Sequence, residues 1–497
     1  MRRILNSGRL PMFLGVLLFI AYVFYNFMVI PAIWPDEEEL AAPAFSLANG
    51  GPFGSSLISG MLPGADVATY WYPPGYFFFL AAVFKVFGAD ILTIRGSSLI
   101  CAGVVVLLFN HLMSQFEVSK VRRSWMMFLM LTDVVFLRSA LIGRAELLVL
   151  GLALGSITVV VEVGRCQSKN RRYALAFASG VLAAAAFLTH TLGLFAAMIS
   201  GLMLLTASPF AAAPVGIFIG AFFATAIPYL LYVLRDFSAY LMQFGLQLQY
   251  KAQESSSAFN HIGDRFLAVW AHYGTSSRPA VAMQLAALVA LAMACRRSRG
   301  MFPLMVGQFV LVVLLTLAGE VWYTVYAIPF ALTGLAAWTP SKKWVRNLGL
   351  VIMIFLGVRN TGLMLKSIHG ASGNVVTHYS DWQKFGESIS SILKTTNHLP
   401  GGGSYLVTFN TPSPFLSFWK DTSHIYHLSF PWKLDPKRMN GLYHSLDGVI
   451  VGGSAKLIGR DACYLNSRIV QTEVVTAGMF TASVSMLDKT MPEIECN

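Results

Sequence analysis

Four carboxylates stand side by side at Asp36-Glu37-Glu38-Glu39, directly after a long apolar run, in a chain of which only 12% is charged. A carboxylate held at a membrane surface and partly shielded from water has its pKa raised towards neutrality, where it can take a proton from a hydroxyl or an amine. Asp36, with Glu37 beside it, is therefore the first candidate for a general base. The same acids would also suit the solvated start of a loop, or a helix cap with Asp36 and Glu39 as its two ends. A second carboxylate, Glu146, follows Arg144 in the turn Gly143-Arg144-Ala145-Glu146. It is a candidate to share a site with Asp36, and otherwise an acid favoured by the dipole at a helix start. A third set is basic and aromatic: Arg144, His190, His261, Arg265, Tyr323 and Tyr326, with His272 and Arg278 of the same kind. Such groups hold a phosphate and stabilise it as it leaves, although each taken singly is also an ordinary headgroup-facing residue. Asp133 and Arg138 lie inside an apolar run, where ionisable residues are costly and usually paired. A structural or pathway role is expected of them.

The elements that must position these residues are membrane-spanning helices. With 497 residues, 56% hydrophobic content and a mean hydropathy of +0.61, the chain lies outside the soluble globular range. The net charge of +12 does not point to nucleic acid, because the basic residues cluster in short segments between apolar runs, which is a topology signal. Five cysteines show no metal-ligand spacing. Cys101, Cys166 and Cys295 read as small residues in or beside apolar runs, and pairing of Cys463 with Cys496 is left open. The apolar run after Met1-Arg2-Arg3 lacks a small-residue cleavage site and is read as an uncleaved first helix.

At about 20 apolar residues per crossing, about eleven spans are expected, near residues 11–31, 94–113, 125–142, 147–163, 173–188, 192–207, 214–234, 279–294, 301–318, 321–338 and 348–366. Basic residues at Lys120, Arg122, Arg123, Arg165, Lys169, Arg171, Arg172, Arg296, Arg297, Lys342 and Lys343 mark the inner loops, with the N-terminus cytoplasmic. The outer loops are then 32–93, with the acidic motif and a short interfacial helix at Tyr76 to Phe87, and 235–278, which is polar and rich in Gln and Ser. Residues 1–366 form an all-α polytopic membrane domain. Residues 367–497 form an extracytoplasmic soluble domain of α/β or α+β type, with a helix at Asp381 to Leu393 capped by Ser380 and strands at Tyr405 to Phe409, Gly448 to Val451 and Ile469 to Val475.

Taken in order, several pieces resemble the GT-C superfamily of polytopic glycosyltransferases, in particular the protein O-mannosyltransferases and the aminoarabinose transferases of lipid A. They are Asp36-Glu37 after the first span with Ala44 to Gly51 trailing it, Pro73-Pro74-Gly75-Tyr76, Phe87-Gly88 followed by Arg95, Gly143-Arg144-Ala145-Glu146, Leu188-Thr189-His190-Thr191, and Trp322-Tyr323 leading to Ala327-Ile328-Pro329. The resemblance covers roughly the first 340 residues, and the tail matches in placement only. It departs from the aminoarabinose transferases at Tyr72-Pro73, where those enzymes tend to have Lys-Pro. It implies inverting transfer of a sugar from a polyprenyl-phosphate donor to an extracytoplasmic protein, lipid or glycan. Asp36 would be the base or the carboxylate that orients the acceptor, and Glu146 the second acid.

A single displacement at the anomeric carbon needs one base on the acceptor and cationic stabilisation of the departing phosphate. No nucleotide cofactor is expected, since Gly401-Gly402-Gly403 in the tail reads as a turn and not as a phosphate cradle. A divalent metal is left open. The rival reading is a secondary transporter or lipid flippase, for which mid-membrane charges and two related halves would be expected. A scaffold displaying the tail is a third reading, and it gives Asp36 and Glu146 no joint role.

Overall fold

In hydrocarbon every backbone N–H and C=O must be satisfied within the chain, so apolar runs of this length fold as helices. The computed structural model describes residues 8–27, 35–55, 57, 62, 64–207, 212–256, 266–267, 269–270, 277–296, 299–318, 321–338, 343–371, 375–395, 405–408, 425–428, 443, 445–452, 465, 468–477 and 480–488. The helices are α1 (Leu10–Asn26), α2 (Pro35–Ala48), α3 (Gly75–Phe87), α4 (Ile91–Gln115), α5 (Lys120–Leu131), α6 (Val134–Leu141), α7 (Glu146–Arg165) and α8 (Lys169–Thr189). They continue as α9 (Leu194–Ala207), α10 (Ala212–Arg235), α11 (Phe237–Ser256), α12 (Ser277–Cys295), α13 (Phe302–Ala318), α14 (Ile328–Ala337), α15 (Lys343–Ala371) and α16 (Val375–Thr395). Short 3-10 turns at Thr191–Gly193 and Val321–Ala327 precede α9 and α14.

Among the described residues α4, α7, α8 and α10 are long and apolar enough to cross a membrane, and α5 with α6 makes a fifth span if that bent pair is one crossing. Six further apolar helices of 10–17 residues accompany them. The protein is an integral membrane protein. Central among the spans is α7, with 67% of its most apolar stretch buried against 22% for α10. The outward face of α10 presents Phe223, Ile227, Leu231 and Leu234 at helical spacing, as a lipid-facing stripe should. Inside the bundle, Ser156 of α7 bonds the Ser179 carbonyl at 3.0 Å and lies 2.9 and 2.8 Å from the hydroxyls of Ser179 and Ser200, tying α7, α8 and α9 together.

The structure departs from the sequence-based expectations in four places. The span expected at 125–142 is broken: α5 and α6 meet at 60°, and Asp133 caps α6 by accepting from the backbone of Val135 at 2.9 Å and Phe136 at 3.1 Å. That capping is the structural role of the acid. Within the segment expected as an outer loop, the acidic block opens helix α2, as the helix-start alternative for these acids had it, with Glu38 and Glu39 buried. Of residues 235–278, expected as a polar outer loop, 237–256 are helical as α11, where Phe237, Tyr240 and Phe244 stack successively at 5.9 and 5.3 Å. In the tail, α16 starts at Val375, so Ser380 lies within the helix and does not cap it.

The tail sheet has the order β2-β1-β3-β5-β4, from β1 (Tyr405–Thr408), β2 (Ile425–Leu428), β3 (Gly448–Gly452), β4 (Ile469–Ala477) and β5 (Phe480–Leu487). β1 runs parallel to both β2 and β3, while β5 is antiparallel to β3 and β4. Phe385 and Ile389 of α16 belong to the same buried apolar cluster as Ile450 and Val484 of the sheet, Leu40 of α2 and Phe77 of α3.

Helix α4 ends in a Schellman motif. Val118 N–H bonds the Met113 carbonyl and Glu117 N–H the Ser114 carbonyl, both at 3.1 Å, with Val118 and Met113 buried. The left-handed position falls on Glu117, at φ 57°, where glycine is the usual occupant. Glu117→Gly should therefore stabilise the protein by about 1 kcal/mol, read as a higher Tm of the detergent-solubilised protein. An unchanged or lower Tm would mean that the Glu117 side chain contributes to this turn.

Candidate active site

The site is assembled on a buried ion pair. Glu37 in the first turn of α2 and Arg95 near the start of α4 are fully buried, and their contact is bidentate, Nε to Oε1 at 2.9 Å and Nη2 to Oε2 at 2.7 Å. Arg95 Nη1 also donates to the Phe27 carbonyl at 2.8 Å, and the Gly143 N–H donates to Glu37 Oε1 at 2.8 Å. The pair thus binds the end of α1, the starts of α2 and α4, and the α6–α7 turn. Two buried charges cost several kcal/mol each unless geometry and extra hydrogen bonds compensate them, as here. Residue 143 must be glycine, because a Cβ there would collide with Ile94 and approach Glu37 Oε1 to 3.1 Å.

One residue along on each side, the same register carries the exposed chemistry. Asp36 precedes Glu37, Arg144 follows Gly143, and Arg144 Nη1 is ion-paired with Asp36 Oδ2. Arg144 Nε bonds Glu146 Oε1 at 2.7 Å, so a single guanidinium joins both carboxylates. The Asp36 side chain is 25% exposed, against 4% for Glu146. Burial works against the charge of Arg144, but Glu146 and then Asp36 outweigh it and hold the guanidinium as a cation.

An aromatic wall faces this cluster. The Arg144 guanidinium lies 5.9 Å from the centroid of the Tyr323 ring, and Tyr323 stacks on Tyr326 at 6.2 Å. His190, just past the end of α8, lies 5.0 Å from Tyr323 and 5.2 Å from Tyr72 between ring centroids. Its Nδ1 accepts from the Leu192 N–H at 3.0 Å, which puts the proton on Nε2, 3.3 Å from the Tyr323 hydroxyl. Burial pushes the Tyr72 phenol well above its usual range, with Tyr323 and Glu146 adding to the effect, so it remains a donor. Tyr72 and Tyr76 flank Gly75, whose missing Cβ allows α3 to start against the end of α8: a Cβ would lie 2.8 Å from the Leu188 carbonyl oxygen.

Three buried polar atoms of this cluster have no hydrogen-bond partner among the described residues: Glu146 Oε2, the Tyr326 hydroxyl and the Tyr76 hydroxyl. Such groups are expensive to leave unmade unless a ligand completes them. The cluster therefore offers a carboxylate base, a paired cation and hydroxyl donors around one place. Among the described residues no group of three His, Cys, Asp or Glu side chains has the arrangement to hold a metal ion.

Of the residues singled out in the sequence, Asp36, Arg144, Glu146, His190, Tyr323 and Tyr326 come together. Glu37 does not join them as a reactive group: it is fully buried and both its oxygens are held by Arg95. His261, Arg265 and His272 lie outside the described residues, as do Gly401 to Gly403, Cys463 and Cys496, and the side chain of Arg278 is likewise not described. Arg138 lies over the Trp322 ring next to the aromatic wall. Tyr72, Tyr76 and Arg95 carried no assigned role in the sequence reading. Arg95 had a signal, because a lone arginine at the start of an apolar span requires a buried acid.

Burial, followed by the positive charge of Arg144, lowers the His190 pKa from 6.5 to about 3. The folded imidazole is neutral while the unfolded one gains a proton as the pH falls below 6.5, so its contribution to stability is complete above 6.5 and is lost towards about 3. The Tm of the wild type should fall more steeply on acidification through this window than that of His190→Gln. Parallel pH profiles would show that the imidazole is solvated.

Neither a protein-family model nor a curated sequence relative matches the chain. Solved structures do. The chain is similar to ArnT from Cupriavidus metallidurans bound to undecaprenyl phosphate, with TM-score 0.62 and 14% identity over 96% of this chain and 99% of that one. The apo form of the same protein matches with TM-score 0.58 and 14% identity over 95% and 97%. The archaeal oligosaccharyltransferase AglB from Archaeoglobus fulgidus, in complex with an inhibitory peptide and a dolichol-phosphate, matches with TM-score 0.51 and 9% identity over 90% of this chain and 70% of that one. At these identities the likeness is one of architecture alone, and the chain shares the fold of ArnT.

Proposed function

We propose that this protein is an integral-membrane inverting glycosyltransferase that moves a sugar from a polyprenyl-phosphate donor to an extracytoplasmic acceptor, which is a protein, lipid or glycan. The observation that carries the reading is the Arg144-bridged pair Asp36 and Glu146, with Glu146 Oε2 and two tyrosine hydroxyls beside it that have no partner among the described residues. The fold supports it, since ArnT has been solved with undecaprenyl phosphate and AglB with a dolichol-phosphate. The reading includes eleven spans, a cytoplasmic N-terminus, a membrane domain over residues 1–366 and an extracytoplasmic tail over 367–497.

Asp36 is the more exposed carboxylate and takes the proton from the acceptor hydroxyl or amine. The acceptor atom then bonds to the anomeric carbon as the bond to the phosphate oxygen breaks, and the lipid phosphate leaves with that electron pair. Arg144 stabilises the departing phosphate, with His190, Tyr323 and Tyr326 supplying hydrogen bonds and a wall that excludes water; His261 and Arg265 are assigned to the same phosphate. Glu146 orients Arg144 through one oxygen and receives a substrate hydroxyl with the other. Glu37 acts as a positioning residue.

Asp36→Asn and Glu146→Gln keep the shape of the side chains and remove their charge. With a radiolabelled polyprenyl-phosphate sugar and membrane acceptors, Asp36→Asn should lower transfer by about 10²–10⁴-fold and Glu146→Gln should also impair it. Unchanged transfer in both variants would remove the catalytic assignment.

A further inference from the structure

A cavity of about 700 Å³ lies at the opposite end of the bundle from the Arg144 site. Helix α7 connects the two, starting at Glu146 in the site and ending at Arg165 in the cavity wall, about 30 Å along the helix axis. The cavity is open on one side, and its lining is mixed, with Phe116, Val161, Met301 and Ala337 on the apolar part and Gln115 and Ser119 on the polar part. Two guanidiniums are built into this lining. Arg122 is held by Nη1 to the carbonyls of Ala336 at 3.2 Å and Trp338 at 3.4 Å, at the end of α14. Arg165 is held through Nη2 to the Gln115 carbonyl and lies 3.5 Å from Glu162, which offsets part of its charge. Each arginine is thus anchored at one edge. The remaining N–H groups of both have no protein acceptor among the described residues. The one acid in the lining, Glu117, is exposed and belongs to the Schellman turn.

A chamber with one apolar part and anchored cations in its polar part is complementary to an anionic amphiphile. A small hydrophilic anion would leave the apolar walls wet, and a zwitterionic lipid would set its own cation against the arginines. Basic pockets between helices at this end of a bundle bind anionic headgroups, and the volume lies within the usual range for a ligand site. Lys120, Arg123 and Arg172 add positive charge at the same end of the spans. We propose that this cavity binds one anionic phospholipid from the leaflet opposite the active site, with the phosphate on Arg122 and Arg165 and the acyl chains against the apolar wall. The bound lipid would brace the ends of α4, α7, α12 and α14 where they converge, as none of the chemistry of glycosyl transfer requires.

The test uses the full-length protein reconstituted with equal amounts of phosphatidylglycerol and phosphatidylcholine, delipidated stepwise in detergent, with retained lipid quantified by mass spectrometry. The wild type should retain phosphatidylglycerol selectively at about one molecule per chain. Arg122→Gln with Arg165→Gln should lower that retention roughly tenfold. Ala337→Trp, which fills the chamber and keeps both arginines, should lower it as well, and this separates loss of the site from loss of the fold. Equal retention of both lipids by the wild type, undiminished phosphatidylglycerol in both variants, or displacement of the lipid by inorganic phosphate alone would each overturn the proposal.

Discussion

The site depends on the Glu37–Arg95 pair. No solvent reaches it, so the two charges must satisfy each other, and the bidentate contact together with the Phe27 and Gly143 backbone groups achieves this. Removing one partner would strand the other in an apolar interior, which typically costs 3–5 kcal/mol. The consequence for function lies in register. Glu37 grips Gly143, so the neighbours Asp36 and Arg144 meet as well, and Arg144 in turn reaches Glu146 at the start of α7. A glycine at 143 is required for this spacing, since any side chain would strike Ile94. Three helices and a turn are thereby held so that two acids far apart in sequence share one cation.

Electrostatics then divide the site. Asp36 keeps access to water while Glu146 loses nearly all of it. His190 is neutral under ordinary conditions, so Arg144 is the cation that the described part of the site offers to a departing anion. Burial holds the Tyr72, Tyr76 and Tyr326 phenols in their protonated form, so each keeps a hydroxyl that can donate or accept a hydrogen bond. On the proposed reading an acceptor in water would meet Asp36, the more exposed carboxylate, and the donor phosphate would be received by Arg144 beside the tyrosines. That arrangement suits transfer between a membrane-borne donor and a water-borne or surface acceptor.

Much of this was legible in the sequence, and the reasons are physical. Acids after the first apolar run, and again at Glu146, stand out because charge is rare and costly in such a chain. Hydropathy and basic loops located the helices on the same grounds. The division of labour within Asp36-Glu37 was not legible, because adjacent residues of one type differ only in which way the helix turns them. The break at Thr132-Asp133 was also hidden, since an apolar run reads alike whether it is straight or bent by 60°. Tyr72 and Tyr76 were visible only as aromatics near a proline pair, and their place opposite His190 comes from the packing of α3 against the end of α8. Strands β2 and β5 were missed for want of a strong β-branched pattern, and the sheet order needed the fold itself.

The central claim is that the Arg144 cluster receives the phosphate of a polyprenyl-phosphate donor. A structure of the protein determined with a polyprenyl phosphate bound tests it most directly. The account predicts a phosphate oxygen within about 3 Å of the Arg144 guanidinium, with the Tyr326 or Tyr76 hydroxyl also engaged and Asp36 left open on its solvent side. A phosphate seated elsewhere in the bundle, with Arg144, Asp36 and Glu146 untouched, would contradict it.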